Sequence, residues 1–289
     1  MKSIYLTAAV GLLLVLVFGG IVLAFEEPEA YVDWEKGFIV VEGLGVPPED
    51  AVGGRARLLA QRAARADAFR NAAEFIEGVN VTSTTTVDRF VVEDDIIRTS
   101  VEGLIEGGEF ISIEYGEENI CKVRLRVPLD RSEDSLTAFL ERSAREEVEE
   151  KPKAERDMYQ DIIDDREREE VGKEKYTGVI IDARGLGVES AFFPQIFDTD
   201  GHLLYGPTRV NGEPSDRSSL IAYSRSREMA EEMDRVGDNP YYLDALSVIS
   251  GEGRRPVDIE LDRESAGIFL EIDEVSGIVE NRAVVMIID

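Results

Sequence analysis

The chain has 289 residues, of which 43% are hydrophobic, so it is long enough for a leader and two packed domains. Its 60 acidic residues against 32 lysines and arginines give a formal net charge of −28, which argues against nucleic acid as a partner and disfavours an anionic lipid surface. Cys121 is the one cysteine, so no intramolecular disulfide can form.

Residues 1–25 have the features of an export signal. Lys2 precedes an almost wholly apolar run over residues 4–24, and an acidic stretch follows it. The run also approaches the roughly 20 residues that cross a bilayer. The sequence therefore predicts a cleaved signal peptide or a retained membrane anchor, and a protein exported to the periplasm or cell envelope. Membrane contact is expected through residues 4–24 alone, and only if they are retained.

Residues 31–130 are predicted to form a first domain around one long helix over residues 55–78. Its apolar face has helical spacing and comprises Leu59, Ala63, Ala66, Phe69, Ala73 and Ile76. Further alanines at positions 60, 64, 68 and 72 allow a second layer to approach closely. Strands are predicted over residues 34–45, 79–92, 96–113 (two strands with a bend) and 120–129. The expected order is β-α-β-β-β, with a curved antiparallel sheet around the helix.

A charged connector is predicted over residues 131–175. Within 132–150 the apolar residues keep helical spacing, which predicts a helix that docks onto a neighbour; they are Leu136, Phe139, Leu140, Ala144 and Val148. Acids and bases alternate densely over residues 153–175, which favours a solvated linker helix. A coiled-coil or partner-binding helix is the alternative, although its apolar stripe would be short for a coiled coil.

A second α/β domain is predicted over residues 176–289. Strands are expected at 177–182, 242–249, 257–261 and 283–288, with the last one central in its sheet. Asp198 to Gly201 have turn composition and predict a hairpin between residues 191–197 and 203–205. A helix is expected over 219–235, and Asp262 is expected to cap another, whose buried face is Ala266, Phe269, Ile272 and Val275.

The sequence contains few candidate chemical groups. Gly185 and Gly187 follow a strand, but no third glycine before a helix completes a dinucleotide-binding pattern. Asp198 and Asp200 resemble the start of a calcium loop that lacks its later ligands. The single histidine, His202, has no sequence relation to the cysteine. We therefore predict no catalytic, cofactor-binding or metal-ligating residue, no cofactor and no enzymatic activity.

Several segments resemble the bacterial LPP-twenty lipoprotein family, and the N-terminal domain of flagellar assembly protein T is similar. The segments are GFIVVEGLG, LLAQRAARADAFRNAAEFIEGV, VTSTTTVD and CKVRLRVPL. Residues 176–206 resemble the region that follows this domain in secreted bacterial relatives. The resemblance implies a dodecin-like domain in an envelope protein without known catalytic residues, and in the flagellar relatives a periplasmic ring around the motor. Unlike the lipoprotein members, this sequence has no lipidation cysteine near its leader.

The predicted fold class is α+β: a dodecin-like domain with one long helix on an antiparallel sheet, a helical linker and a second α/β domain. The predicted function is that of a non-catalytic envelope protein acting by protein–protein contacts in flagellar or outer-membrane assembly. Expected partners are basal-body or outer-membrane proteins, and self-association is compatible with this role. Exposed sheet edges and the 132–150 helix are the expected contact surfaces. The alternative is a periplasmic ligand-binding or enzymatic module with a site between the two domains.

Overall fold

The computed structural model describes residues 29–93, 95–129, 135–148, 151–168, 175–210, 219–251 and 253–289. Over these residues the chain is a mixed α+β protein of two domains, which confirms the predicted α+β class. The predicted leader lies outside the described residues, as do residues 131–134, 149–150 and 169–174 of the predicted connector. No helix in the described ranges is long and apolar enough to cross a bilayer.

The secondary-structure elements are numbered in chain order. The strands are β1 (Ala30–Asp33), β2 (Phe38–Gly45), β3 (Glu109–Tyr115), β4 (Cys121–Pro128), β5 (Gly178–Asp182), β6 (Ile196–Asp198), β7 (Leu203–Tyr205), β8 (Ala222–Ser224), β9 (Pro240–Asp244), β10 (Ser247–Gly251), β11 (Arg254–Leu261) and β12 (Val284–Ile287). The helices are α1 (Gly53–Gly78), α2 (Val87–Glu93), α3 (Asp95–Glu106), α4 (Leu136–Glu147), α5 (Gln160–Arg168), α6 (Arg227–Glu231) and α7 (Arg263–Ser276). Two short 3-10 helices occupy Glu117–Asn119 and Arg156–Tyr159.

The first domain is an antiparallel sheet in the order β1-β2-β4-β3, with α1 packed across it. This arrangement confirms the predicted long helix on an antiparallel sheet. The prediction for β4 also holds, because its side chains alternate between a buried row and a row that faces away from α1.

The buried face of α1 is narrower than predicted and consists mainly of alanines four residues apart: Ala56, Ala60, Ala64, Ala68, Ala72 and Ile76. Ala63 and Ala66, which were predicted to be buried, are exposed. The cause lies in β2, where a Cβ on Gly45 would lie 2.0 Å from the carbonyl oxygen of Ala60. Because the helix backbone touches the strand at a glycine, only the smallest side chains fit beneath it.

The strand predictions between residues 79 and 106 are wrong. In residues 80–86 the chain forms an irregular loop with isolated bridges, and α2 and α3 follow it. In α3 the buried residues Ile97, Val101 and Ile105 recur every four positions, which is a helical period. The β-branched residues and glycines in this stretch favoured strands locally, and burial of the helical stripe overrode that preference.

The second domain contains two sheets. One is entirely parallel, in the order β8-β12-β5-β9, and the other is mixed, in the order β10-β11-β6-β7. Helix α7 contacts strands of both sheets. The predicted hairpin, the central position of the last strand and the Asp262 cap are confirmed, since the Asp262 carboxylate accepts the Ser265 N–H at 2.7 Å.

Three other predictions for this domain are wrong. The helix expected over residues 219–235 is instead strand β8 followed by the short α6. The strand expected over 242–249 is divided between β9 and β10. Val275 is 60% exposed, because α7 buries the face that contains Ala266, Phe269 and Ile272.

Residues 151–168 are not a solvated linker, because they pack on the second domain. The Leu203 N–H donates to the Pro152 carbonyl at 2.7 Å, and the Ala154 N–H donates to the Leu203 carbonyl at 3.0 Å. These bonds cover the edge of β7. Tyr159 and Ile163 are buried, and Tyr159 lies against α7. Tyr159 and Ile163 of this charged segment therefore make contacts within the chain, whereas Met158 is exposed.

The two domains share one continuous core. The Trp34 ring meets Phe192 and Tyr223 edge to face, with centroid distances of 5.1 and 5.3 Å. The N–H groups of Phe192 and Phe193 donate to backbone carbonyls of residues 80 and 81 at 3.0 and 2.9 Å. The irregular loop of the first domain is thus joined to the second domain through backbone hydrogen bonds.

Candidate functional site

The predicted chemical groups do not converge on one site. Cys121 lies on the helix-facing side of the first sheet, where burial raises the pKa of its thiol. His202 lies in the β6–β7 hairpin of the second domain. Gly185 and Gly187 both have positive φ and form a turn after β5 that does not lead into a helix. The structure therefore does not assemble a Cys–His pair or a dinucleotide-binding turn from these residues.

The β6–β7 hairpin contains a cluster of groups that can ligate metals. Asp198, Asp200 and His202 each offer one ligand atom within 4.8 Å of the others. The Asp198 carboxylate is already occupied, however. Its Oδ1 accepts the N–H groups of Asp200 and His202 at 2.9 and 2.7 Å, and its Oδ2 accepts the Tyr159 hydroxyl and lies 2.8 Å from His202 Nδ1. A cation on Asp198 would have to displace one of these bonds.

The protonation of Asp198 follows from the same contacts. Burial acts to raise its pKa, but the bonds from Tyr159 and His202 outweigh burial and hold the pKa below its usual value. The pKa of Tyr159 is raised by burial and by the neighbouring Asp198. The cluster therefore joins the connector to the hairpin through an ionised aspartate. The sequence signal for the hairpin was the turn composition, whereas nothing local marked Tyr159 as its partner.

We expect Asp198→Asn to lower the free energy of unfolding by about 1–3 kcal/mol at neutral pH, because a buried hydrogen-bonded charge is lost. Since the pKa of Asp198 is lowered in the folded state, its stabilisation is present above the unfolded value of about 3.9 and disappears as pH falls through the folded-state value. Urea unfolding of the wild-type protein and the variant, from neutral to acidic pH, should show that the difference between their free energies of unfolding disappears in acid. A difference in the free energy of unfolding that does not change with pH would contradict this prediction.

A second polar cluster lies at the junction of the two domains. Asp258 is fully buried and accepts the Gln195 N–H at 2.8 Å, and burial raises the pKa of its carboxyl group. The Ser83 side chain also hydrogen-bonds to the Asp258 carboxylate, whereas Gln195 Nε2 and Asn80 Oδ1 have no hydrogen-bond partner among the described residues. A bound water would satisfy atoms of this kind. Because the side chains of Asp258, Gln195 and Asn80 are buried, a ligand in solution does not reach them directly.

Helix α4 was predicted as a contact surface, but its apolar face is used within the chain. Leu136, Leu140 and Ala144 are buried. Glu141 on the same helix is also buried, and its two carboxylate oxygens lie 2.7 and 2.8 Å from Arg282 of the second domain. The helix docks as the sequence predicted: it packs against α3 of the first domain and is joined to the second domain through Arg282.

Exposed sheet edges were a predicted contact surface, and β3 is one of the two edge strands of the first sheet, with β1 at the other edge. Strand β3 pairs with β4 on one side and with no described strand on the other. Its large apolar side chains are partly exposed, with Ile111 at 46%, Ile113 at 39% and Tyr115 at 40%. Two arginines of α1 lie over the same strand: the Arg57 guanidinium is 5.4 Å from the Tyr115 ring centre, and that of Arg65 is 4.7 Å from Phe110.

The comparison with protein families concerns the second domain. Residues 178–289 match a family described as Treponema pallidum Tp0624, second domain. The match begins at the first residue of β5 and spans both sheets of that domain. The first domain, which carries the open β3 edge, lies outside it. No curated protein matches the chain.

Proposed function

We propose that this protein is a non-catalytic component of the bacterial cell envelope that acts through protein–protein contacts, in flagellar or outer-membrane assembly. The predicted leader over residues 1–25 and the resemblance to the LPP-twenty family support this location. The contact role rests chiefly on the β3 edge, because an unpaired strand with exposed apolar side chains is a template for a strand of another chain.

The packing of the rest of the chain supports the same role. The connector covers the edge of β7, and α4 buries its apolar face against the chain itself. A body that presents an edge strand with exposed apolar side chains, as β3 does, suits docking better than enclosure of a small molecule, for which a concave site with converging polar groups is usual.

The experiment is a pull-down of the tagged protein from crosslinked envelopes, with mass spectrometry of its partners and of its own N-terminus. Basal-body or outer-membrane partners are the expected result. A mature start at Phe25 would identify a cleaved leader, and a start at Met1 would identify an anchor. Recovery of the protein alone as a soluble monomer would count against the contact role and favour the periplasmic ligand-binding or enzymatic alternative.

A further inference from the structure

The first half of α1 is a cationic surface on a strongly acidic protein. Residues 53–66 contain Arg55, Arg57, Arg62 and Arg65 and no acid, although the whole chain has 60 acids and 32 lysines and arginines. In the described part of the chain, no carboxylate oxygen lies within 4.0 Å of any of these four guanidinium groups. Farther along the same helix, Arg70 has Asp67 and Glu74 as ion-pair partners.

Helix stability does not account for this placement. The first turn of a helix carries partial positive charge, so Arg55 is unfavourable there and an acid would be preferred, while Arg57, Arg62 and Arg65 lie beyond that turn. The first turn of α1 has no acid, and its N-cap residue, Val52, makes no side-chain capping bond. An arrangement that costs local stability in a chain rich in acids is expected where an outside anion is bound.

Two of these arginines are aligned along β3. Arg57 and Arg65 are eight residues apart, which is about 12 Å along a helix. They lie over Tyr115 and Phe110, near opposite ends of the strand. The aromatic rings hold the guanidinium groups beside the open edge, and the Arg57 Nε also donates to Asn119 at 3.1 Å. An arginine has five N–H donors, so each group can also bind a carboxylate.

We propose that the β3 edge binds an extended acidic segment of a partner polypeptide as an added strand, with its carboxylates paired to Arg57 and Arg65. In an extended chain, residues four apart are separated by about 13 Å and lie on the same face, which matches the spacing of the two arginines. Backbone hydrogen bonds to β3 supply affinity, and the charge pairs supply selectivity. This inference names the partner chemistry of the contact role proposed above and therefore rests on it.

The test uses the full chain and a fluorescent peptide that alternates glutamate and valine, with a lysine-for-glutamate peptide as the matched probe. The glutamate peptide should bind more weakly as salt is raised, and the lysine peptide should not bind. Hydrogen exchange should show new protection of the β3 amides when the glutamate peptide is bound, as expected for strand addition.

The variants distinguish the loss of the arginine charges from unfolding of the protein. The double change Arg57→Glu and Arg65→Glu should weaken binding at least about tenfold, whereas Arg70→Glu, on the same helix but away from β3, should change it less than about twofold. The milder pair Arg57→Gln and Arg65→Gln should also weaken binding, and an unchanged thermal transition excludes unfolding as the cause. Ile113→Glu, which places a negative charge on the edge strand, should reduce binding as well, because like charges on neighbouring strands repel.

Equal binding by the wild-type protein and the double variants would overturn the proposal. Preference for a single-stranded oligonucleotide or for anionic vesicles over the glutamate peptide would also overturn it, because either result would identify another class of partner. In the envelope pull-down, the variant with both Arg57→Glu and Arg65→Glu should lose the partners. If this variant retained them, this inference would be refuted and the contact role would stand. If the wild-type protein captured no partner, the contact role would fail instead.

Discussion

Gly45→Ala is expected to lower the free energy of unfolding by at least about 3 kcal/mol, which is a large effect for one methyl group. A Cβ at this position would lie 2.0 Å from the Ala60 carbonyl oxygen and 2.4 Å from the Ala64 backbone nitrogen. Those atoms belong to the helix backbone, so no side-chain rotation can relieve the overlap. Either α1 moves away from β2 or the domain unfolds at lower denaturant, and urea unfolding with circular dichroism measures the change.

Gly103→Ala is the matched control for this prediction. Gly103 lies inside helix α3, and nothing lies within 4 Å of the position that its Cβ would occupy. Since glycine is a poor helix former, we expect the alanine variant to be as stable as the wild type or more stable by about 1 kcal/mol. Similar destabilisation by both substitutions would show that close approach at β2 is not the cause.

Glu141→Ala is expected to cost about 3–5 kcal/mol, because it removes a buried carboxylate that binds the buried Arg282 through both oxygens. The Arg282 side chain is 1% exposed and that of Glu141 is 4% exposed. Arg145 also binds Glu141, at 2.7 Å, so the substitution removes an acceptor from two cations. The midpoint of urea unfolding should fall markedly, and α4 should become more accessible to protease than in the wild-type protein.

Two comparisons test the reason for this loss. Glu109→Ala breaks the exposed pair with Arg126, whose atoms are 2.6 Å apart, and should cost at most about 1 kcal/mol. Replacing Glu141 with leucine and Arg282 with methionine together should recover much of the lost stability, because no buried charge then remains unpaired. If the double variant were as unstable as Glu141→Ala, the loss of stability would come from altered contacts of α4 and not from the loss of the ion pair.

Elements that depend on nearby residues were predicted correctly, and elements that depend on contacts between distant residues were not. The helix over residues 55–78, the strand over 120–129 and the cap at Asp262 were predictable because each depends on periodicity or on a neighbour within four residues. The region from 79 to 106 was not, because its threonines and valines favour strands locally, whereas the folded domain has a loop over residues 80–86 and two helices after it.

The type of contact surface was predictable from the sequence, but its position in the structure was not. The sequence indicated open sheet edges and a docking helix, but it did not identify which edge stays open or what the helix contacts. The arginines of α1 were visible as its polar face, whereas their alignment over Phe110 and Tyr115 depends on how the helix crosses β3.

By itself the sequence determined an acidic α+β chain with a predicted export leader, one long alanine-rich helix and two domains. Only the tertiary structure decided which row of that helix is buried, because the choice depends on Gly43 and Gly45 of a separate strand. It also decided that the connector lies against the second domain, through the bond between Tyr159 and Asp198. Local patterns specify which faces can be buried, and contacts between residues distant in the chain select the faces that are.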